Sequence, residues 1–412
     1  MAKRKYGVGN IEPRGEGVFR LRYSIGGRRF KKTIEAANRS EAQKELRRLL
    51  KAGDDGDHVE PSKLTVGQWV DQWLAVGAPG RKRKKVGQRT LERYGQLLRT
   101  HIKPALGDKQ LQQLRAPDVD RLYVDIAAKG EIAPRTAHHL HVVFGACLAT
   151  VHRKGMIPTN PMSRVEQIPN AEPQVLEEGE ESDDIGEGVT DTELATLVAG
   201  FATSNLYPVV VLAAATGARR GELLAFRWTD LDVVKKTLKV ERALEQTAKF
   251  GLRLKPPKTR RGKRVIDLDQ AAVDLLLRER GRHQRIMAGV PDGVDVDLSL
   301  IKLPAGALMF PALPEAGEDV DLGKWRNPRN FSKEFARKAD LLGFGRIRFH
   351  DLRGIHATAL LDANQPINRV AERLGDDPAV VLRNYAKRTR SKQADQNLAN
   401  AIAAFSAGFL KT

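Results

Sequence analysis

The sequence predicts a multidomain, mainly α chain: a small basic β-sheet-plus-helix module at the N-terminus, a four-helix bundle, and an α-rich C-terminal domain with a small β-sheet. Three observations predict it. A chain of 412 residues has room for two or three domains, and 41% hydrophobic residues are enough for packed cores. Helical periodicity dominates two long blocks, and an acidic stretch at 166–188 separates them. Basic residues crowd the start of the chain around a short alternating pattern.

Charge narrows the function. Lys and Arg number 70 against 51 Asp and Glu, a formal net charge of +19. Ten of the acids fall in residues 166–191, which hold no Lys or Arg, so the rest of the chain is more positive still. Such an excess favours a polyanionic partner, either nucleic acid or an anionic membrane surface. The longest apolar run, residues 209–215, is far short of the roughly 20 residues that span a bilayer. The opening MAKRKYG has no apolar segment behind it and does not read as a signal peptide. Cys147 is the only cysteine, which excludes an intramolecular disulfide and a cysteine-rich zinc site. The expectation is a soluble, intracellular protein with no membrane partner.

The N-terminal module is expected over residues 1–58. Residues 1–52 hold fifteen Lys or Arg against five acids. GVFRLRYSI, Gly26–Gly27 and RRFKKTI read as a hairpin closed by a Gly-Gly turn, with basic side chains on one face. EAQKELRRLLKAG reads as a helix covering the other face. The bundle is expected over 62–165. Thr65 caps a first helix with Val66, Trp69, Val70, Trp73 and Leu74 on one side. A second starts near Thr90 with Leu91, Tyr94, Leu97 and Leu98. A third follows Pro117 with Val119, Leu122, Tyr123 and Ile126, and a fourth runs from about Pro134 through Val151. The run RKRKK, residues 81–85, is either a solvated basic loop or a phosphate contact. His138, His139 and His141 invite a metal reading, but adjacent histidines cannot share a helix face, and DNA-facing or exposed rings are expected instead.

Residues 166–188, which contain EEGEESDDIGEG, read as a disordered acidic linker. The last domain is expected over 189–412. Thr190 and Glu193 form a capping box. Residues 237–242 and 264–268 read as strands with KPPKTRRG turning between them, and helices follow at about 269–287, 328–342, 350–361, 367–374 and 379–385. Residues 289–323, rich in Gly, Pro and Asp, read as a long loop.

Four places in this domain carry candidate chemistry. TGARRGEL, residues 216–223, is a Gly-punctuated turn opening a helix, with Arg219 and Arg220 at its start. It is either an anion site or a solvated first turn. His350 and Arg353, in HDLR, share a helix face; a guanidinium there can grip phosphate and an imidazole can move a proton, or the pair merely caps a helix. Lys258, in PPKTRRGKR, can reach outward to protonate a leaving oxygen, or is one more lysine in a basic turn. Tyr385, in LRNYAK, is an ordinary tyrosine or, beside bound phosphate, a covalent nucleophile.

Together TGARRGEL, PKTRRGKRVIDL, FHDLRGIHAT and RLGDDPAVVLRNYAK resemble, in order and spacing, the motifs of the tyrosine recombinases, also called phage-type integrases. The likeness extends to the layout of basic module, core-binding bundle and catalytic domain, and implies the tyrosine recombinase fold. It also implies site-specific DNA cleavage and rejoining through a 3′-phosphotyrosyl intermediate, without metal, ATP or another cofactor. Such an integrase integrates or excises a mobile element. By the resemblance, Arg219 and Arg353 are the two catalytic arginines, Glu222 the supporting acid, Lys258 the hairpin lysine, His350 the histidine before the second arginine, and Tyr385 the nucleophile. The helix expected at about 391–409 matches the tail that docks on a neighbouring protomer.

Implied partners are double-stranded DNA, at core and arm sites, and further copies of the chain in a tetramer on DNA. A host DNA-bending factor or an excisionase can join them, and the location expected is cytoplasmic and nucleoid-associated. Two positions depart from the family's pattern. Asp376 stands where the family has His or Trp, nine residues before the tyrosine, and Gly354 replaces the usual His after the second arginine. A carboxylate opposes the phosphate's charge, so Asp376 either stays neutral, turns away or weakens the reaction. Two alternatives follow. One is a DNA-binding regulator or architectural protein with decayed recombinase activity. The other is a type IB topoisomerase, against which the N-terminal module and the short tail after Tyr385 argue.

Overall fold

The computed structural model describes residues 9–54, 59–80, 84–169, 189–257, 260–291, 293–312, 314 and 319–385. The chain divides into two compact units, Met1–Glu180 and Glu181–Thr412.

The first unit opens with an antiparallel sheet in the order β1-β2-β3: β1 (Asn10–Gly15), β2 (Val18–Ile25) and β3 (Arg28–Glu35). Gly26 and Gly27 both take positive φ, 57° and 80°, and join Ile25 to Arg28 in the tight hairpin that the Gly-Gly pair predicts. Alternation then sorts the side chains. Leu21 and Tyr23 are buried with Phe19, Phe30 and Ile34 against Ala42 and Leu46 of α1 (Arg39–Asp54). Arg20, Arg22, Arg29 and Lys31 occupy the other face, with Arg22 directly opposite Lys31. The sequence reading missed β1, whose Pro13 is tolerated only because this is an edge strand.

The bundle follows: α2 (Val66–Ala75), α3 (Gln88–Leu97), α4 (Lys103–Leu106), α5 (Ala116–Lys129) and α6 (Pro134–Arg153). Thr65 caps α2, accepting from the Gln68 N–H, and the Gln68 side chain accepts the Thr65 N–H in return. Trp69, Trp73, Leu97, Val119, Phe144 and Cys147 lie in one core. Two donors inside it are satisfied by main chain: Trp69 Nε1 donates to the Cys147 carbonyl at 3.2 Å and Trp73 Nε1 to that of Pro79 at 3.3 Å. Beyond α3 the chain widens through an i→i+5 turn at Leu98–Ile102 before α4, where Pro104 has no N–H to give.

The three histidines are half-buried on α6 rather than exposed. His138 Nδ1 lies 3.0 Å from the Pro169 carbonyl, His139 meets the Tyr94 ring edge-on and His141 packs on Tyr123. Residues 166–169 fall within the predicted linker, yet the Glu166 and Gln167 N–H groups donate to Asp120 at 2.9 and 2.8 Å. The rest of that linker, Arg81 to Arg83 of the basic run, and the helix expected at 391–409 lie outside the described residues.

The second unit contains α7 (Asp191–Gly200), α8 (Tyr207–Thr216), α9 (Arg220–Leu223), a sheet of β4 (Leu231–Asp232), β5 (Thr237–Val240) and β8 (Arg264–Asp267), and a separate hairpin of β6 (Ala243–Thr247) and β7 (Gly251–Lys255). The long α10 (Gln270–Ala288), α11 (Pro328–Leu341), α12 (Asp351–Asp362), α13 (Ile367–Leu374) and α14 (Pro378–Tyr385) complete it. Phe201, Phe331, Phe335 and Phe349 form a ring cluster with centroids 4.7–5.3 Å apart. The apolar α8 runs through the same core. β5 and β8 pair antiparallel as expected, but KPPKTRRG does not turn directly between them: the β6–β7 hairpin is inserted first. Its inner face buries Glu245, neutralised by Arg253 and Lys255 at 2.9 and 2.5 Å, so its polar pattern hides the strand from an apolar count.

Candidate active site

Two helix ends meet at the site. α8 stops at Thr216 because Gly217 takes a left-handed φ of 62° and closes the helix with its N–H on the Ala213 carbonyl. That turn presents Arg219 at the start of α9. Glu222, one turn on, accepts from the Arg219 N–H and from its Nη1, both at 3.0 Å. Facing it, α12 begins at Asp351, whose buried carboxylate accepts from the Arg348 N–H at 2.8 Å and ties down the chain entering the helix. Arg353 therefore projects from the first turn of α12, and it is 3% exposed.

The Arg353 guanidinium is fixed by main chain: Nη1 donates to the Gly217 carbonyl at 2.6 Å and Nη2 to that of Leu374 at 2.9 Å. Its burial, and then the neighbouring Arg219 charge, lower its pKa, with Asp376 and Glu222 opposing. Asp376 follows the α13 cap, where Gly375 has a φ of 66°. Its two oxygens are divided between the arginines: Oδ1 takes Arg219 Nη2, and Oδ2 takes Arg353 Nη2 at 2.5 Å. Of the three sequence alternatives for Asp376, turning away is not what the structure has; the side chain turns in and ion-pairs with both cations.

His350 sits at the N-terminal end of α12 with much of its surface accessible. Desolvation by its neighbours, then the charges of Arg353, Arg219 and Arg348, push its imidazole below the usual range, with Asp351 pulling the other way. It is therefore neutral at pH 7 and able to accept a proton. The structure thus brings Arg219, Glu222, His350, Arg353 and Asp376 together. Tyr385 is the last residue of α14, the helix that begins two residues after Asp376. Lys258 lies outside the described residues.

Two further arginines support the site, and the sequence reading passed over both. Arg264 on β8 grips Glu222 with two bonds, Nη2 to Oε2 at 2.9 Å and Nη1 to Oε1 at 3.2 Å, while its Nε donates to the Arg373 carbonyl at 2.7 Å. Burial alone would push the Glu222 carboxyl up; Arg264 and Arg219 outweigh it and hold the pKa below the usual range. Arg373 in turn donates to the Ala215 carbonyl and to His356 Nε2, both at 3.0 Å. A signal for Arg264 existed: period-two alternation puts it on the same face of β8 as the buried Ile266.

Two clustered guanidiniums, a neutral imidazole and a helix carrying a tyrosine define a site suited to transfer at a phosphorus centre. Comparison with known proteins fixes the class. The phage integrase family model matches residues 190–392 and the phage integrase N-terminal SAM-like domain model matches residues 65–125. The chain belongs to the phage integrase family of tyrosine recombinases.

Among curated relatives, it is 24% identical over 400 residues to a tyrosine recombinase XerC-like protein of Caldanaerobacter subterraneus subsp. tengcongensis, covering 93% of this chain and 95% of that one. It is likewise 24% identical over 422 residues to an integrase of Saccharopolyspora erythraea, covering 89% of each. Among solved structures, the Tn1549 transposon integrase in complex with transposon right-end DNA superposes with a TM-score of 0.61 at 17% identity, over 82% of this chain and 99% of that one. A lambda integrase tetramer bound to a Holliday junction gives 0.54 at 17%, over 95% and 98%. At these identities the structural likeness establishes the tyrosine recombinase fold.

Proposed function

We propose that this chain is the integrase of a mobile element, a site-specific recombinase that breaks and rejoins DNA by transesterification at Tyr385. The convergence of Arg219 and Arg353 on a single anion carries the reading. A phosphodiester, like a carboxylate, is a monoanion with two forked oxygens, so the same guanidiniums can hold a scissile phosphate. The Tyr385 oxygen attacks phosphorus, a Tyr Oη–P bond forms and the P–O5′ bond breaks. The phenolic proton passes to His350, whose lowered pKa keeps its ring unprotonated at neutral pH. Lys258 supplies a proton to the departing 5′-oxygen, and the arginines stabilise charge on the equatorial oxygens. The phosphotyrosyl ester conserves the bond energy, so rejoining needs no nucleotide cofactor.

The layout supports a division of labour among residues 1–58, 62–165 and 189–412, joined by the acidic stretch 166–188. Arg20, Arg22, Arg29 and Lys31 on one face of the N-terminal sheet suit phosphate contacts at accessory arm sites. The bundle and the last domain take the core site. Lambda integrase, similar in fold, forms a dimer on a core site and a tetramer on a Holliday junction, and the same tetramer on DNA is the assembly proposed here, with a DNA-bending factor or excisionase as auxiliary partners. Among the described residues no helix is long and apolar enough to cross a membrane. A cytoplasmic, nucleoid-associated location suits these partners.

The test is covalent trapping. Duplexes selected from a random library by binding to the protein are nicked to make suicide substrates, then incubated without added metal. A denaturing gel should show a protein–DNA adduct for wild type and none for Tyr385→Phe, with Arg353→Lys strongly reduced. Absence of an adduct from wild type on DNA that it binds would favour the second reading, a DNA-binding regulator with decayed catalysis. The engagement of both arginines by Asp376 is the observation on that side.

A further inference from the structure

Asp376 holds the position from which a phosphate would be gripped. Its Oδ2 accepts from Arg353 Nη2 at 2.5 Å and its Oδ1 from Arg219 Nη2, so one carboxylate uses the nitrogens that converge from both cations. The bonds that orient the two guanidiniums do not depend on it. Arg353 keeps the Gly217 and Leu374 carbonyls, and Arg219 keeps Glu222 at 3.0 Å. The main chain of Asp376 is tied separately, its N–H donating to the Ala371 carbonyl at 3.0 Å, so its carboxylate can leave by side-chain rotation without unravelling the end of α13. Arg219 is also the open side of the cluster, its side chain 37% exposed against 3% for Arg353. A substrate oxygen thus reaches the Arg219 end first.

We infer that Asp376 acts on Arg219 and Arg353 as an internal counter-anion: its carboxylate fills the place between the two guanidiniums, and the scissile phosphate must displace it before cleavage. The inference rests on the recombinase reading for the identity of the displacing anion, a DNA phosphodiester. Exchange conserves charge, one monoanion for another, and no bond is made or broken covalently in it. The chain therefore imposes a threshold on its own active site. A phosphate that reaches only one arginine competes poorly with a carboxylate that reaches both, whereas one seated against both completes the exchange. Weakly bound or misaligned DNA is then held uncleaved.

The experiment has two readouts on wild type, Asp376→Asn and Asp376→His, each first checked for folding by calorimetry. The first is the affinity for inorganic phosphate without DNA, followed by phosphorus NMR. Loss of the carboxylate removes a charge-assisted competitor, and Asp376→Asn should bind phosphate about tenfold more tightly. Arg353→Lys in the same background should abolish the gain. The second is adduct formation against DNA concentration, where the half-saturating concentration should fall. A merely structural ion pair would instead lower stability and leave phosphate affinity unchanged; that result overturns the inference. So does a lower maximal rate with an unaltered half-saturating concentration, which would make Asp376 a direct participant. Failure of both variants to fold would also overturn it, because a carboxylate the fold requires cannot be the one that leaves. Tighter phosphate binding with no adduct from any variant would retain the competition and reject the recombinase reading.

Discussion

Removing Arg264 tests whether the site is built from behind. Its side chain is 5% exposed and that of Glu222 3%, and they share two bonds at 2.9 and 3.2 Å. Arg264→Met leaves a buried carboxylate with Arg219 as its remaining cation, and Arg219 is itself partly exposed and shared with Asp376. Breaking a buried pair from one side costs about 3–5 kcal/mol, mostly the penalty of the stranded charge. At about 2–4 °C per kcal/mol for a domain of this size, the transition of the second unit should fall by about 6–20 °C. Calorimetry on the full chain reads it, and a double-mutant cycle identifies the cause. Glu222→Gln removes the charge and keeps an acceptor for the Arg219 N–H, so Glu222→Gln with Arg264→Met should be less damaged than Arg264→Met alone by about 1–2 kcal/mol. If Arg264→Met costs under about 1 kcal/mol, or if the two losses simply add, Glu222 is not held by Arg264 and the account of Arg219's support is wrong.

Three other outcomes follow from the same geometry. His356 is pushed down to about 4 by burial and then by the Arg373 charge, so the unfolded chain takes up a proton between pH 6.5 and 4 that the folded chain refuses. Stability should fall as pH drops through that window, by at most about 3 kcal/mol from this group, and denaturant titrations at pH 7 and pH 4.5 should show a smaller loss for His356→Gln. Gly217→Ala forces a side chain onto φ +62°, with the new Cβ 2.7 Å from Leu374 Cδ2 and 2.8 Å from His356 Cδ2. It should cost about 1–3 kcal/mol and depress adduct formation, because the Gly217 carbonyl anchors Arg353. Trp73→Ala should lower the stability of the bundle by about 3–5 kcal/mol in a urea titration, since the ring is 1% exposed and stacks on Tyr94 at 6.1 Å.

What the sequence disclosed depended on local chemistry. Thr65, the Gly26–Gly27 turn and the Thr190–Glu193 capping box act over three or four residues, and each stands where its pattern puts it. Strands with polar inner residues were less legible: β6 escaped because Glu245 and Thr247 are buried in place of aliphatic residues. The candidate site residues could be collected by motif order, but no motif says which way a side chain turns. Asp376 could be flagged as a charge mismatch from its position alone. That it faces inward follows from the Gly375 cap and from two arginines that begin 134 residues apart and meet only in the folded chain.

The anchors of Arg353 and Arg373 have a consequence for mutational tolerance. The carbonyls of Gly217, Leu374, Ala215 and Asp267 receive their guanidinium protons, and a carbonyl is present whatever residue supplies it. A saturation library should accordingly show Ala215 and Leu374 constrained by volume and helix geometry, not by side-chain functional groups. Drift in the surrounding side chains then leaves the arginines in register. An unusual residue such as Asp376 can enter beside Arg353 without disturbing its aim, because the anchors of that guanidinium are written in the backbone.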